Sequence, residues 1–266
     1  MIKNGNQKYI LPNGLEIYHL NKIETDFLYK EIFIEECYLK NGIELKEGSV
    51  VFDVGANIGM FSLFVSNKCK NSTIFAFEPI SPIYNILKLN VEKMNSDVKI
   101  FNIGLSDNKK TQKFTFYPGM SVFSGQFAQK SFDDELLRNI LLEQYNNISD
   151  KKLLNRFINH FMEERFSEQI YECELETLSN IIRENQLSRI DLLKIDVEKS
   201  ELQVLLGIKQ DDWKIIKQII IEVHTDEILS ELKRIIISNG FDIIIEQEKC
   251  FSLHDIYNIY AKKLLD

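Results

Sequence analysis

Val50-Val51-Phe52-Asp53-Val54-Gly55-Ala56-Asn57-Ile58-Gly59 decides how this chain folds. A short apolar run enters a glycine-punctuated turn, and residues 58–65 are apolar enough to form the helix that follows. The run predicts a buried strand over 50–54. Glycines at its end let the backbone turn tightly and approach a ligand. The turn reads D-x-G-x-N-x-G. It departs from the G-x-G-x-x-G of dinucleotide sites because Asn57 takes the middle position, which argues against a nicotinamide dinucleotide. Glu78 ends the next predicted strand, 73–77, about 20 residues beyond the loop, where an acid hydrogen-bonds ribose hydroxyls. Strand, glycine turn, helix, strand and acid together point to a nucleoside-type ligand.

The same rhythm continues on both sides. Ser81-Pro82 predicts a helix start, with Ser81 as N-cap and Pro82 at the first helical position. Ile83, Ile86, Leu87, Val91 and Met94 then share one helical face. Residues 98–103 predict a third strand, so the pattern is that of a parallel sheet with helices on both faces. A strand over 113–117 is broken by Pro118-Gly119. Residues 132–166 read as charged helix, with Leu136, Leu137, Ile140, Leu141, Leu153, Leu154, Phe157, Ile158 and Phe161 as its apolar positions. This predicts a helical insertion at about 127–170, a candidate lid. Helix 175–184, strand 190–195, helix 202–206, strand 218–223 and helix 227–238 follow, the last stopped by Asn239-Gly240. Strands 241–245 and 258–261 close the pattern. The expected division is an N-terminal extension over 1–45, also a lid candidate, and a core over 46–266.

Composition excludes several classes. With 44% hydrophobic residues in 266, the chain can bury a core and is not disordered. A net charge of −8 argues against binding a nucleic-acid backbone. No apolar run approaches the ~18 residues of a membrane span. The first residues lack an apolar leader, and Cys37, Cys69, Cys173 and Cys250 form no C-x-x-C pair. The expectation is a cytoplasmic protein with reduced cysteines and no zinc site.

Asp53 to Gly59 with Phe77-Glu78-Pro79 resembles a class I S-adenosylmethionine methyltransferase. Lys194-Ile195-Asp196-Val197-Glu198-Lys199-Ser200-Glu201 and Ile221-Glu222-Val223-His224 are similar to the FkbM family of O-methyltransferases. Glu24-Thr25, Tyr29 to Phe33, Tyr117-Pro118 and Ser124-Gly125 resemble the branch that serves polyketide and nonribosomal peptide assembly lines. Lys199 stands where many relatives have Gly, a change expected to matter little at a helix start. The resemblance implies a Rossmann-like α/β fold with seven strands, one antiparallel, in the order 3-2-1-4-5-7-6. It also implies S-adenosylmethionine as cofactor, with S-adenosylhomocysteine as product. Asp53, Gly55, Asn57, Gly59 and Glu78 are the expected cofactor residues. Ser106 is expected beside the adenine and Asp196 near the methionine end.

The implied reaction sets its own demands. An aliphatic hydroxyl is a weak nucleophile and needs a base as its bond to carbon forms. His224 alone among the four histidines directly follows a central predicted strand; His19, His160 and His254 lie elsewhere. His224 is therefore the expected general base. Glu198 is expected to orient it, with Glu222 and a lid tyrosine, Tyr29, as further catalytic candidates. Glu201 reads as an acid complementing a helix dipole. Asp196, Glu198, Glu222 and His224 could in principle hold Mg²⁺, but nothing in the sequence requires it and no metal is expected. The leading expectation is methylation of a hydroxyl on a polyketide or nonribosomal peptide intermediate, free or on an acyl carrier protein. A sugar hydroxyl, an amine, or a non-catalytic cofactor-binding module are the alternatives.

Overall fold

Strands made of unbroken apolar runs need cover on both faces, and this chain supplies it. The computed structural model describes residues 7–130, 135, 137–139, 141–142, 150–163, 165–247 and 256–264. Its strands in chain order are β1 (Gln7–Ile10), β2 (Glu16–His19), β3 (Val50–Val54), β4 (Thr73–Phe77), β5 (Asp97–Phe101), β6 (Gly104–Leu105), β7 (Lys110–Phe116), β8 (Gln169–Glu176), β9 (Leu192–Ile195), β10 (Gln218–Val223), β11 (Phe241–Gln247) and β12 (Tyr257–Lys263). Seven of them form one sheet in the order β5-β4-β3-β9-β10-β12-β11, with β12 antiparallel to both neighbours. Counted within the sheet, that is the expected 3-2-1-4-5-7-6.

The pleat splits the core. Val51, Ile74, Leu192 and Ile220 face one side, where they meet Phe61 and Val65 of the helix Met60–Lys68 and the N-terminal Leu11, Ile17 and Tyr38. Phe52, Phe75, Leu193 and Ile221 face the other, against Leu178, Val204 and Leu232. The N-terminal extension therefore shares a core with the sheet. The chain crosses from one half of the sheet to the other beside β3, which has β4 on one flank and β9 on the other. At such a switch the carboxyl ends of the strands diverge and leave a crevice. No helix among the described residues is long and apolar enough to cross a membrane.

Three local expectations are corrected. Ser81 is not the N-cap: Ile80 is, and the Ser81 hydroxyl instead donates to Asn102 Oδ1 at 2.9 Å. Residues 175–176 end a strand rather than begin a helix; the helix is Leu178–Glu184, and the Thr177 side chain caps it by accepting from Asn180 N–H. β8 also joins β6 and β7 in a second sheet that the sequence reading omitted. Of the predicted insertion, Lys151–Glu163 is helical, and Leu154, Ile158 and Met162 pack against Tyr117 and Phe166. Leu136, Ile140, Cys250 and His254, with the side chains of His160 and Phe161, lie outside the described residues.

Candidate active site

The carboxyl ends of β3, β4, β9 and β10 open into one cavity of about 1060 Å³. Its floor begins with the turn after β3. Gly55 has φ +79, and a Cβ there would lie 1.7 Å from the Asp196 carbonyl oxygen. Only glycine lets the turn pack against the end of β9. Asn57, at φ +49, folds its side chain back so that Oδ1 accepts from Ile58 N–H at 2.7 Å. Its Nδ2 donates to Ser121 Oγ at 3.1 Å, and Ser121 N–H donates to the buried Glu24 at 2.9 Å. The cofactor loop, the segment after β7 and the N-terminal extension are thus tied at one point. Ile23, Glu24 and Phe27 from the extension and Leu137 and Leu141 from the insertion line the cavity.

Glu78 enters from the end of β4. Its two oxygens accept backbone N–H groups of Asn57 (3.1 Å) and Ile80 (2.8 Å). Each carboxylate oxygen has two lone-pair sites, so both retain one for ribose hydroxyls. Burial pushes its carboxyl up to about 7 despite those two bonds. The glycine turn and this cavity-lining acid fit the adenosine part of S-adenosylmethionine. Glu78→Gln is expected to weaken S-adenosylmethionine binding about 10- to 100-fold, the loss of a charged hydrogen-bond acceptor. Calorimetry checks this. The native protein should also bind more weakly as pH falls through 7 and the carboxyl protonates, a dependence that the Gln variant should show less strongly.

The opposite wall carries the acids and the histidine. His224 follows β10 and is buried. Its Nδ1 lies 2.6 Å from Glu201 Oε1. Its Nε2 faces Glu222 Oε1 at 3.3 Å, Glu198 Oε1 at 3.4 Å and Asp196 Oδ1 at 3.9 Å. Burial alone would lower the imidazole pKa, but Glu198, Glu201 and Glu222 raise it well above the ordinary value. Desolvation, supported by Asp196 and Glu222 and opposed by His224, pushes the Glu198 carboxyl up to about 7. The ligand atoms of Asp196, Glu198 and His224 lie within 4.8 Å of one another, a spacing that also admits a cation.

The structure brings together Gly55, Asn57, Glu78, Asp196, Glu198, Glu222 and His224 at the cavity and leaves four expected residues away from its wall. Asp53 is fully buried beneath the loop, accepting from Ser62 Oγ at 2.7 Å and pairing with Lys194 Nζ at 3.1 Å. Gly59 packs against the next helix, where a Cβ would lie 2.7 Å from Leu87 Cδ1. Ser106 turns aside and donates to Asp107 at 2.9 Å. Tyr29 is buried and stacks on Phe33 at 5.0 Å, while its neighbours Leu28, Lys30 and Glu31 reach the cavity.

Glu198 reaches His224 on the Nε2 side, and the acid on Nδ1 is Glu201. Sequence reading missed Tyr38, whose buried hydroxyl donates to Asp196 Oδ2 at 3.0 Å, and Lys194. The latter had a signal, a lone charge inside an apolar strand. Lys199 also matters more than expected. Its φ is +70 and that of Glu198 is +47, a left-handed pair that turns the chain between β9 and the helix Glu201–Leu206. A side chain in that conformation costs roughly 1–2 kcal/mol. Lys199→Gly should therefore stabilise the protein by about 1 kcal/mol, after allowing for the greater freedom of unfolded glycine. A denaturant titration measures it.

Comparison with known proteins identifies the family. A family model, the methyltransferase FkbM domain, matches residues 53–243. The chain is 38% identical over 262 residues to the AMB antimetabolite synthetase AmbE of Pseudomonas aeruginosa, a match covering 94% of this chain and 12% of that protein. It is 37% identical to the 31-O-demethyl-FK506 methyltransferase FkbM of Streptomyces tacrolimicus, over 95% of each. Among solved structures, a precorrin-6y C5,15-methyltransferase from Geobacter metallireducens aligns with 92% of this chain and 100% of its own at 13% identity, with a TM-score of 0.47.

Proposed function

This chain belongs to the FkbM methyltransferase family, and we propose that it methylates a hydroxyl of a polyketide or nonribosomal peptide intermediate, free or carried on an acyl carrier protein. The observation that carries the reading is His224 Nε2, buried at the end of β10 and facing the same cavity as Glu78 and the glycine turn. When bound, S-adenosylmethionine supplies an electrophilic methyl group on a positively charged sulfur. Glu78 and the turn after β3 hold its adenosine end. Asp196, backed by Tyr38 and Lys194, sets a negative wall across the cavity. The extension and the insertion narrow access and limit competing water.

His224 takes the hydroxyl proton at Nε2 as the acceptor oxygen bonds to the methyl carbon, whose bond to sulfur breaks so that S-adenosylhomocysteine leaves. In the free protein the surrounding carboxylates favour the protonated ring. A cation entering the cavity opposes them and favours release of that proton. Glu198, 3.4 Å from Nε2 and partly exposed, offers it a route to solvent. On this reading the cluster of Asp196, Glu198 and His224 handles protons rather than a metal ion.

The test is incubation with S-adenosylmethionine and a panel of hydroxyl, sugar and amine acceptors, free and carrier-tethered, with and without EDTA, read by mass spectrometry. Methylation of a carrier-tethered or free hydroxyl of this class, insensitive to EDTA, supports the reading. Methylation confined to amines or to sugars overturns the acceptor assignment. Activity that EDTA abolishes and Mg²⁺ restores overturns the proton-handling role.

A further inference from the structure

We propose that Glu201 is the positioning residue for His224, holding the ring by Nδ1 so that Nε2 is the atom offered to the acceptor. The inference rests on the reading of His224 as proton acceptor and adds the group that makes it one. Glu201 Oε1 lies 2.6 Å from Nδ1 and also accepts from Lys199 N–H at 3.0 Å. The residue is wholly buried, and its Oε2 has no hydrogen-bond partner among the described residues. A carboxylate removed from water with so few partners is tolerated only beside a positive or strongly polar one. The imidazole is that partner.

The contact also selects a tautomer. A neutral imidazole carries its proton on one nitrogen and a lone pair on the other. With a carboxylate fixed at Nδ1, a ring protonated on Nε2 would set a lone pair against a negative oxygen at 2.6 Å. The Nδ1–H form avoids this closest contact and leaves the Nε2 lone pair on the cavity side, where the nearest carboxylate oxygens, of Glu222 and Glu198, stand farther off at 3.3 and 3.4 Å. Glu198, Glu222 and Asp196 cannot do the same, because all three lie on the Nε2 side. Local chain geometry serves this arrangement. The left-handed turn at Glu198 and Lys199 reverses the chain, so that Glu198 reaches one side of the ring and Glu201 the other.

The groups around the ring come from several elements. Asp196 and Glu198 follow β9, Glu201 begins the next helix, and Glu222 lies on β10. Asp226 and Glu227 line the same cavity from the helix Asp226–Ser238, and Tyr38 and Lys194 stand behind Asp196. Glu201 alone among these has its carboxylate on Nδ1 in the structure.

The experiment is Glu201→Gln, read by imidazole nitrogen NMR of His224 and by the pH dependence of turnover. Gln keeps the shape but offers an amide N–H to Nδ1, which favours the wrong tautomer. Loss of one facing carboxylate should lower the ring's titration midpoint by about 1–3 pH units. Turnover near neutral pH should fall about 10- to 100-fold, with its acid limb displaced to lower pH. The KM for S-adenosylmethionine should be unchanged. A purely structural role would instead scale the rate at every pH and leave the ring's midpoint alone. A folded Gln variant with native ring titration and native pH profile overturns the proposal.

If the Gln variant does not fold, Glu201→Asp carries the test. It keeps the charge but withdraws the carboxylate by one carbon. Native turnover and native tautomer signals in that variant also overturn the proposal, whereas slowed turnover with altered tautomer signals supports it. The NMR arm needs no acceptor. A ring that responds to the Glu201 variants in a protein that methylates no hydroxyl would leave the positioning intact and reject the proposed function.

Discussion

His224→Gln should lower single-turnover methylation by about 10²–10⁴, the usual worth of a positioned general base, while S-adenosylmethionine binding stays near native. Gln matches much of the side chain's size and hydrogen bonding but cannot take a proton at neutral pH. Native His224 must first lose the proton that Glu198, Glu201 and Glu222 favour. The acid limb of the native pH–rate profile should therefore lie above the ordinary histidine pKa of about 6.5, with activity rising as pH increases through it. Binding of a cationic cofactor should release part of that proton, so calorimetry in buffers of different ionisation enthalpy should detect proton release at pH near 7. The Gln variant should show less. Glu198→Gln should cost less than His224→Gln, because it removes only the route by which the proton leaves. Adding it to His224→Gln should cost little more, since the two act as a unit. A near-native single-turnover rate in His224→Gln would leave positioning alone, with solvent taking the proton, as the source of catalysis.

The half of the site that hangs on strand ends was legible in the sequence. Asp196, Glu222 and His224 sit at or just past the ends of apolar runs, and a parallel sheet collects such ends on one edge. Glu78 was legible for the same reason. What escaped depends on the direction of side chains. Asp53 and Lys194 pair across β3 and β9 in register, so their side chains meet beneath the loop rather than in the cavity. Tyr29 and its neighbours are consecutive residues where the helix Lys22–Tyr29 passes into the π-helical segment Lys30–Ile34, which shifts the faces that a regular helical count would assign. Glu201 was read from its place at a helix start, and only the left-handed turn before it shows which side of His224 it reaches. β8 was misread although Tyr171, Cys173 and Leu175 alternate with acids. A period of two was present there and was overridden by the helical reading on either side.

Lys194→Met should destabilise the fold by about 3–5 kcal/mol, the cost of breaking one side of a buried ion pair. Lys194 is 3% exposed on β9, where its neighbours Leu192, Leu193 and Ile195 are all buried hydrophobics. Burial works against its charge, but Asp53 and Asp196 more than reverse that and hold it protonated. Its Nζ lies 3.1 Å from Asp53 Oδ1 and 3.5 Å from Asp196 Oδ2, and it donates to the Gly55 carbonyl at 2.8 Å. It also stands 5.4 Å from the ring centre of Tyr38. One cation therefore links the floor of the cofactor loop to the acid wall of the cavity. Met fills much the same volume and leaves Asp53 charged, fully buried and without that cation. Asp53→Asn added to Lys194→Met removes the stranded charge, and Asn can still accept from Ser62. The double variant should therefore be more stable than Lys194→Met alone, although a second charge has been lost. Urea denaturation of the single and double variants measures this. A loss below about 1 kcal/mol for Lys194→Met, in the range of an exposed pair, would show that the pair is solvated and that the loop is held by its glycines and backbone bonds instead.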